Sequence, residues 1–499
     1  MAVLLRIAFR NIWQHKAKSF IIGILIALGV IIIVIGNAMM DAAEKGIRKS
    51  YIENFTGDLM IHGPSKDAVS IFGIESFSLD AETRVPSIPQ YEKIIAHLAE
   101  DSRVASYTSM AVSYGILAAD LEEAENIEED SENTIFGILF GIDAKTYFSM
   151  FPSIKIIEGQ APERGSGGLL LSPQQLEKLR KKYKKDFAVG DTLLVTGYSS
   201  SGFKIRELTI TGLFERNDRT GEAPFMYADI DVVRVLAGLT LGVDERIQLG
   251  SRETALLSTT SEEDLFGDAD IVQQETVQKN SFSLEQVQKI FKDTSARDLA
   301  NTADTGAWNF ILIRLRDSSQ AQAVMTDYSQ WFASAGVQAN ITDWKGAAGS
   351  AGRFADILRT IFTIALIIVA VVAIIIMMNT LVISVIERTG EIGTMRALGA
   401  EKGFIRRLFL AETLTLSLFF GAIGSAFALL ITIILNLLHI PAPNDFVYVL
   451  FGGDHLFLQP RLSSFISTLI MIFGIGYLAH LYPVSVALRI PPVAAMKDE

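Results

Sequence analysis

The sequence contains no cysteine. Disulfides, thiolate nucleophiles, Cys-type zinc sites and a lipidated N-terminal cysteine are thereby excluded. The six histidines (His15, His62, His97, His439, His455, His480) are scattered, without His-x-x-x-His spacing. No metal site is expected, because metal ligands converge with recognisable spacing. No Walker A loop, no Gly-x-Ser-x-Gly elbow and no His-Glu-x-x-His occurs. The cluster Gly165-Ser166-Gly167-Gly168 has no following Gly-Lys-Ser/Thr and reads as a flexible turn. No catalytic residue and no bound cofactor is therefore assigned. The chain is not expected to be an enzyme, and any nucleotide hydrolysis would come from a separate chain.

Clustered cations are also scarce. The net charge is -12, and the acidic excess lies between Ala42 and Arg353, while the remainder is slightly basic. Phosphate binding needs clustered cations, so nucleic acid is not a partner. The local run Lys178, Arg180, Lys181, Lys182, Lys184, Lys185 follows Ser172-Pro173, a good helix start. It reads as the solvated face of one helix. The stretch Asp120 to Glu132 is strongly acidic and reads as a solvated loop.

Apolar residues, by contrast, make up 49% of the chain and concentrate in a few long runs, the mark of an integral membrane protein with a large soluble part. Ile361 to Ile386 has no charged residue, and Leu408 to Leu438 has only Glu412. Four segments reach the ~20 residues needed to cross a hydrocarbon core: residues 19–40, 357–386, 406–438 and 462–487. Arg6, Arg10, Lys16 and Lys18 precede the first, and Arg388, Arg396, Lys402, Arg406 and Arg407 lie between the second and third. The loop 439–461 has Asp445 and Asp454 and only Arg461. The positive-inside rule then puts both termini and the 387–405 hairpin in the cytoplasm, with 41–356 and 439–461 outside. Residues 1–18 read as a basic amphipathic helix in the membrane interface, and 488–499 as a cytoplasmic tail. Gly421/Ser425 and Gly424/Ala428 are spaced for close helix contact, within the chain or in a dimer.

The expected fold is thus an α-helical membrane protein with four transmembrane helices and a large α+β extracytoplasmic domain. Strands are expected over Asp58–His62, Val104–Leu117, Thr134–Ile142, Leu169–Leu171, Thr192–Thr196, Phe203–Leu213, Phe225–Ala228, Phe310–Leu315 and Val337–Thr342. Helices are expected over Ile88–Glu100 and Ser319–Ser334. Residues 243–305 are polar and irregular and read as an insertion or mobile segment.

The stretch Glu387 to Ala400 is a charged tip between two membrane-length runs. Ile392, Met395 and Leu398 recur at roughly helical spacing, with Glu387, Arg388, Glu391 and Arg396 around them. Those residues fit either a solvated turn or a short helix on the membrane or a partner. Glu412 fits either a charge complementing a helix N-terminus or an intramembrane coupling residue.

The pattern Glu387-Arg388-Thr389-x-Glu391-Ile392-Gly393-x-x-Arg396-Ala397-Leu398-Gly399-Ala400 resembles the signature loop of FtsX/MacB-type ABC transporter permeases. Ala8-Phe9-Arg10-Asn11-Ile12, Leu410-Ala411-Glu412 and the terminal Tyr482-Pro483-Val484, Ala487-Leu488-Arg489 and Pro491 to Met496 agree with it. The one-plus-three arrangement of spans is closest to lipoprotein-releasing (LolC/LolE-like) permease subunits. The resemblance implies a MacB-like periplasmic core and a location in the cell inner membrane. It also implies a second permease subunit, in a homo- or heterodimer, and a cytoplasmic ABC ATPase that uses the ATP. By the same resemblance, Glu387, Arg388, Glu391, Ile392, Gly393, Met395, Arg396, Leu398 and Gly399 would couple to that ATPase, with Glu412 a candidate within the membrane. The substrate would be a lipoprotein or another amphiphile. The alternatives are an FtsX-like signalling protein controlling a cell-wall enzyme, or a membrane-tethered extracytoplasmic binding protein.

Overall fold

The computed structural model describes residues 10, 16–74, 85–125, 134–199, 202–216, 225–241 and 295–489. The readings above for residues 1–9 and 11–15, for 126–132, for 242–294 and for the terminal motif from 490 onward lie outside these. The described chain forms two compact units. One runs to Glu53 and resumes at Ser350; the other is made by the chain between them.

The first unit is helical. Four helices, Lys16–Tyr51, Ser350–Glu387, Lys402–Leu437 and Leu462–Arg489, are long and apolar enough to cross a membrane. They extend beyond the apolar runs because hydrophobicity sets only the length that lipid covers. The flanking Ala, Glu, Lys and Arg residues, such as Asp41 to Lys49, continue the helix on their own propensity. Glycine permits the tightest crossing. A Cβ at Gly424 would lie 2.7 Å from the Ala27 carbonyl oxygen, and one at Gly23 would overlap the Phe420 ring at 2.3 Å. The small residues of the third helix therefore serve intrachain contacts, Gly424 with the first helix and Gly421 with Ile472 of the fourth. Ile22, Ile26, Val30 and Val34 pack there with Leu416, Phe420, Met377 and Ile472.

The loop before the fourth helix carries a short helix, Asp445–Phe451, not expected from the sequence. Asn444 caps it, accepting from Val447 N at 2.9 Å, and Gly452 ends it at φ 70°. Its end packs on Gly46, whose bare Cα leaves room for the Val449 and Leu450 carbonyls.

The second unit is α+β. Its described strands are β1 (Leu59–His62), β2 (Val69–Ser70), β3 (Gly73–Ile74), β4 (Val104–Ala118), β5 (Ile135–Ile142) and β6 (Ile154–Gly159). They continue as β7 (Gly168–Leu171), β8 (Thr192–Ser199), β9 (Gly202–Arg216), β10 (Phe225–Asp229), β11 (Phe310–Leu315) and β12 (Asn340–Asp343). Ten strands form one mixed sheet in the order β12-β1-β11-β4-β5-β10-β7-β9-β6, with β8 pairing β4 and β9; β2 and β3 form a separate hairpin. β1 lies between β11 and β12, with Leu59 opposite both Ile313 and Asp343. The first and last strands of the unit therefore close it upon itself. One core gathers Leu139, Leu171, Val195, Leu208, Ile210 and Val233; another gathers Leu59, Ile61, Ile94, Ile311, Ile313 and Phe332.

Several local readings change. The acidic stretch after Asp120 begins as a helix, Leu121–Glu125, with Asp120 Oδ1 accepting from Glu123 N at 3.0 Å. The last strand starts at Asn340, since Gly336 at φ 66° ends the preceding helix and Val337 N bonds back to Phe332 O. The part of 243–305 that is described contains the helix Ser295–Asn301. The ends of that segment are tied together: Leu241 N donates to Thr302 O at 3.2 Å, Asp304 N to Leu239 O at 3.0 Å, and Thr240 bridges Ala303. Lys178, Arg180, Lys181 and Lys182 lie on the helix Pro173–Tyr183, whose capping box joins Ser172 and Gln175, and Lys184 and Lys185 follow its end. Lys181 pairs with Glu177 at 2.7 Å, Arg180 with Asp186 at 3.0 Å, and Lys182 with Glu123.

Candidate functional site

The connector between the second and third spans is a short helix, Thr389–Ala397. Arg388, at φ -101° and ψ 19°, breaks the second span from it. The Thr389 hydroxyl turns back to the Val385 and Ile386 carbonyls. At the far end Gly399 adopts φ 97°, a left-handed conformation that glycine takes without strain. Gly399 N and Ala400 N then close the last turn on Arg396 O and Met395 O at 3.1 and 3.0 Å.

The connector has two faces. On the inner one Ile392 is 1% exposed and Gly393 is buried. Ile392 packs among Val385, Ile405, Phe409 and Val484, so it touches the ends of the second, third and fourth spans, with Met395 and Leu488 half-buried beside it. Arg388 points the same way, with its side chain 6% exposed. Its Nη1 donates to both carboxylate oxygens of Glu412 at 3.0 Å, and its Nε donates to Glu391 at 3.0 Å. Its guanidinium also lies 5.8 Å from the Phe409 ring. Burial by itself lowers the Arg388 pKa, but Glu412 and Glu391 outweigh it and raise it. Arg388 is therefore a fixed cation.

The opposite face carries Glu387, Glu391, Leu398 and Gly399, all exposed, and Arg396 at its margin. Leu398 is 85% exposed. Of the residues singled out from the sequence, the fold thus brings Arg388, Glu391 and Glu412 into one ion cluster. It seats Ile392, Gly393 and part of Met395 in the bundle, and leaves Glu387, Leu398 and Gly399 outward.

The Arg388–Glu412 pair was not foreseen, although a signal for it exists. Glu412 is the single charge in the run Leu408 to Leu438. A carboxylate at such a position needs a partner, and Arg388 ends the preceding apolar run. Among the described residues no group of three or more His, Cys, Asp or Glu side chains could hold a metal ion.

Residues 363–492 match the family model of the FtsX-like permease C-terminal region. Over 148 residues the chain is 30% identical to the ABC transporter permease YtrF of Bacillus subtilis, covering 28% of this chain and 33% of that one. It is 27% identical over 163 residues to the lipoprotein-releasing system transmembrane protein LolE of Haemophilus influenzae, covering 31% and 39%. A longer match, 24% identical over 357 residues, joins it to the macrolide export ATP-binding/permease protein MacB 2 of Aeromonas hydrophila, covering 68% of this chain and 47% of that one. The chain thus spans less than half the length of each of these relatives. Among solved structures it is similar to the extracellular domain of the ABC-type transporter YknZ, with a TM-score of 0.27 and 10% identity over 57% of this chain and 99% of that chain.

Proposed function

We infer that this chain, an ABC transporter permease of the FtsX/MacB type, transmits ATP-driven motion of a cytoplasmic ATPase through its spans to its α+β unit. These 499 residues hold no Walker A loop, so the nucleotide is hydrolysed by residues outside them. One observation carries the reading. The connector has an inner face bonded into its own bundle and an outer face that ends on Leu398, 85% exposed. Such a part can be pushed from outside and will pass the push on, because Ile392 and Arg388 tie it to the other spans. Coupling of this kind requires two states that nucleotide biases differently. The positive charges flanking the connector support a cytoplasmic position for it, on the side where ATP is. The permease works as a dimer, and its cargo is an amphiphile, with lipoproteins first.

The test is reconstitution of the complex purified from membranes. Replacing Leu398 with Asp, or Arg396 with Glu together with Met395 with Asp, abolishes stimulation of the ATPase while the chain still inserts. Stimulation at the parent level in both would refute the docking role. Depletion of the protein should strand lipoproteins in the inner membrane; normal sorting would remove lipoproteins as cargo.

A further inference from the structure

At the end of the helical unit away from the connector, a second carboxylate is taken out of solvent. Asp41, on the first helix, has a side chain 7% exposed. Two arginines from other segments reach it: Arg359 of the second helix, with Nη2 3.5 Å from Oδ1, and Arg461 of the loop before the fourth, with Nε 3.7 Å from Oδ2. Arg359 also bonds Glu44 at 2.6 Å, and Lys45 bonds Gln459 at 3.2 Å. Both arginine side chains are about half exposed (54% and 49%), so their charges stay hydrated while the carboxylate does not. A buried carboxylate shared between three chain segments costs desolvation and is held only by such partners.

One turn beyond Arg359 the second helix also meets the first through the Phe362 ring, which fills the space a Cβ on Gly36 would take. Between Ala355 and Met377 none of the second helix's residues is buried. An apolar groove of about 220 Å³, lined by Ile26, Val30, Val369 and Met377 among others, runs along part of its side toward the first helix. Lipid is as apolar as the side chains lining this groove, so the groove itself does not hold the middle of the helix in place. Arg359 and Arg388 lie about 44 Å apart along a helix rising ~1.5 Å per residue. The hydrocarbon core is ~30 Å thick, so both ends reach the hydrated interfaces.

We propose that Asp41 is a positioning residue that anchors the start of the second helix. Arg359 pins that helix to the first helix, Arg388 pins it to the third, and its middle shifts across the groove. That the shift carries transport work rests on the permease function above; the anchor does not.

The absence of cysteine allows a direct test in the full chain in liposomes. Spin labels go on Met39→Cys and Ile364→Cys, both exposed positions. The parent gives one narrow distance distribution. Asp41→Asn adds a wider population, about fivefold above the parent, the scale expected on losing a partly exposed ion pair. Asp41→Glu restores the narrow one. Arg359→Gln, at a half-exposed side chain, gives the same broadening and serves if Asp41→Asn fails to insert. Unchanged distributions in Asp41→Asn, or in Arg359→Gln where Asp41→Asn does not insert, overturn the anchor. Broadening without any associated ATPase leaves the anchor standing and removes the lever.

Discussion

Removing the Glu412 charge tests whether the connector is held by its ion pair. In Glu412→Gln the Arg388 guanidinium keeps its buried place but loses the bidentate acceptor at 3.0 Å. The remaining partner, Glu391, is 57% exposed, and exposed pairs contribute ~0–1 kcal/mol. Breaking a buried pair by removing one partner costs ~3–5 kcal/mol. Glu412 is 13% exposed, which favours the lower end, so ~3 kcal/mol is expected. That corresponds to a roughly 150-fold shift between seated and unseated connector. Hydrogen exchange of the 389–400 amides in nanodiscs reads this directly, and their protection should fall by about two orders of magnitude.

Replacing both partners provides the control. An apolar pair of similar volume in place of a buried ion pair is often neutral. Arg388→Met combined with Glu412→Leu should therefore recover much of the protection that either single variant loses. Protection at the parent level in Glu412→Gln would refute the reasoning. So would a double variant as exposed as the sum of the two singles.

Gly424→Val should prevent the close approach of the first and third spans, since even a Cβ there would lie 2.7 Å from the Ala27 carbonyl. The expected loss is ~3 kcal/mol or more, read as a lower midpoint of thermal unfolding in detergent, with Gly390→Ala, whose added Cβ would meet nothing within 4 Å, unchanged. Residues 242–294 leave and re-enter through the tied stem at Leu241 and Thr302. Replacing them by a Gly/Ser linker of about ten residues should preserve folding of the α+β unit, because loop-closure entropy varies slowly with length; limited proteolysis would detect the contrary. His62 is buried on β1, and burial lowers its pKa from 6.5, against a smaller opposing effect of the Gly63 carbonyl. The unfolded chain then takes up a proton before the folded one does. Stability should be full above pH 6.5 and decline as the pH falls from there toward the folded pKa. His62→Phe should flatten that slope in pH-dependent unfolding of the full chain.

What was legible in the α+β unit follows from where local and global signals agree. The helix Pro173–Tyr183 was readable because Ser172, Pro173 and Gln175 satisfy its first turn whatever surrounds it. The helix Ile230–Leu236 was not. Its sequence Ile-Asp-Val-Val-Arg-Val-Leu is rich in β-branched residues and favours a strand locally. It is helical because Asp229 caps it, accepting from Asp231 N at 3.0 Å, and because Arg234 is drawn inward. Arg234 is fully buried, bonded to Asp231 at 2.8 Å and to the Thr305 and Ala307 carbonyls at 2.9 Å, and lies 4.2 Å from the Trp308 ring. Apart from Asp231, those partners are about 70 residues away in the chain, and no window of sequence contains them.

The connector shows the same division within a single motif. Residue type and spacing identified the whole stretch Glu387 to Ala400, but they could not sort it into faces. A 3.6-residue repeat puts Ile392, Met395 and Leu398 close in angle, which suggests one apolar surface for one partner. The break at Arg388 and the left-handed turn at Gly399 decide otherwise. They rotate and end the helix so that Ile392 is buried against the chain's own spans while Leu398 stays outside. Substitutions at the two positions should therefore fail differently. Ile392→Asp should unseat the connector and disturb the Arg388–Glu412 pair, raising amide exchange even with no other protein present. Leu398→Asp should leave exchange unchanged and act only when the ATPase is added. If Leu398→Asp loosened the isolated chain as much as Ile392→Asp does, the two faces would be one, and the outward surface would lose its claim to be the part on which a partner pushes.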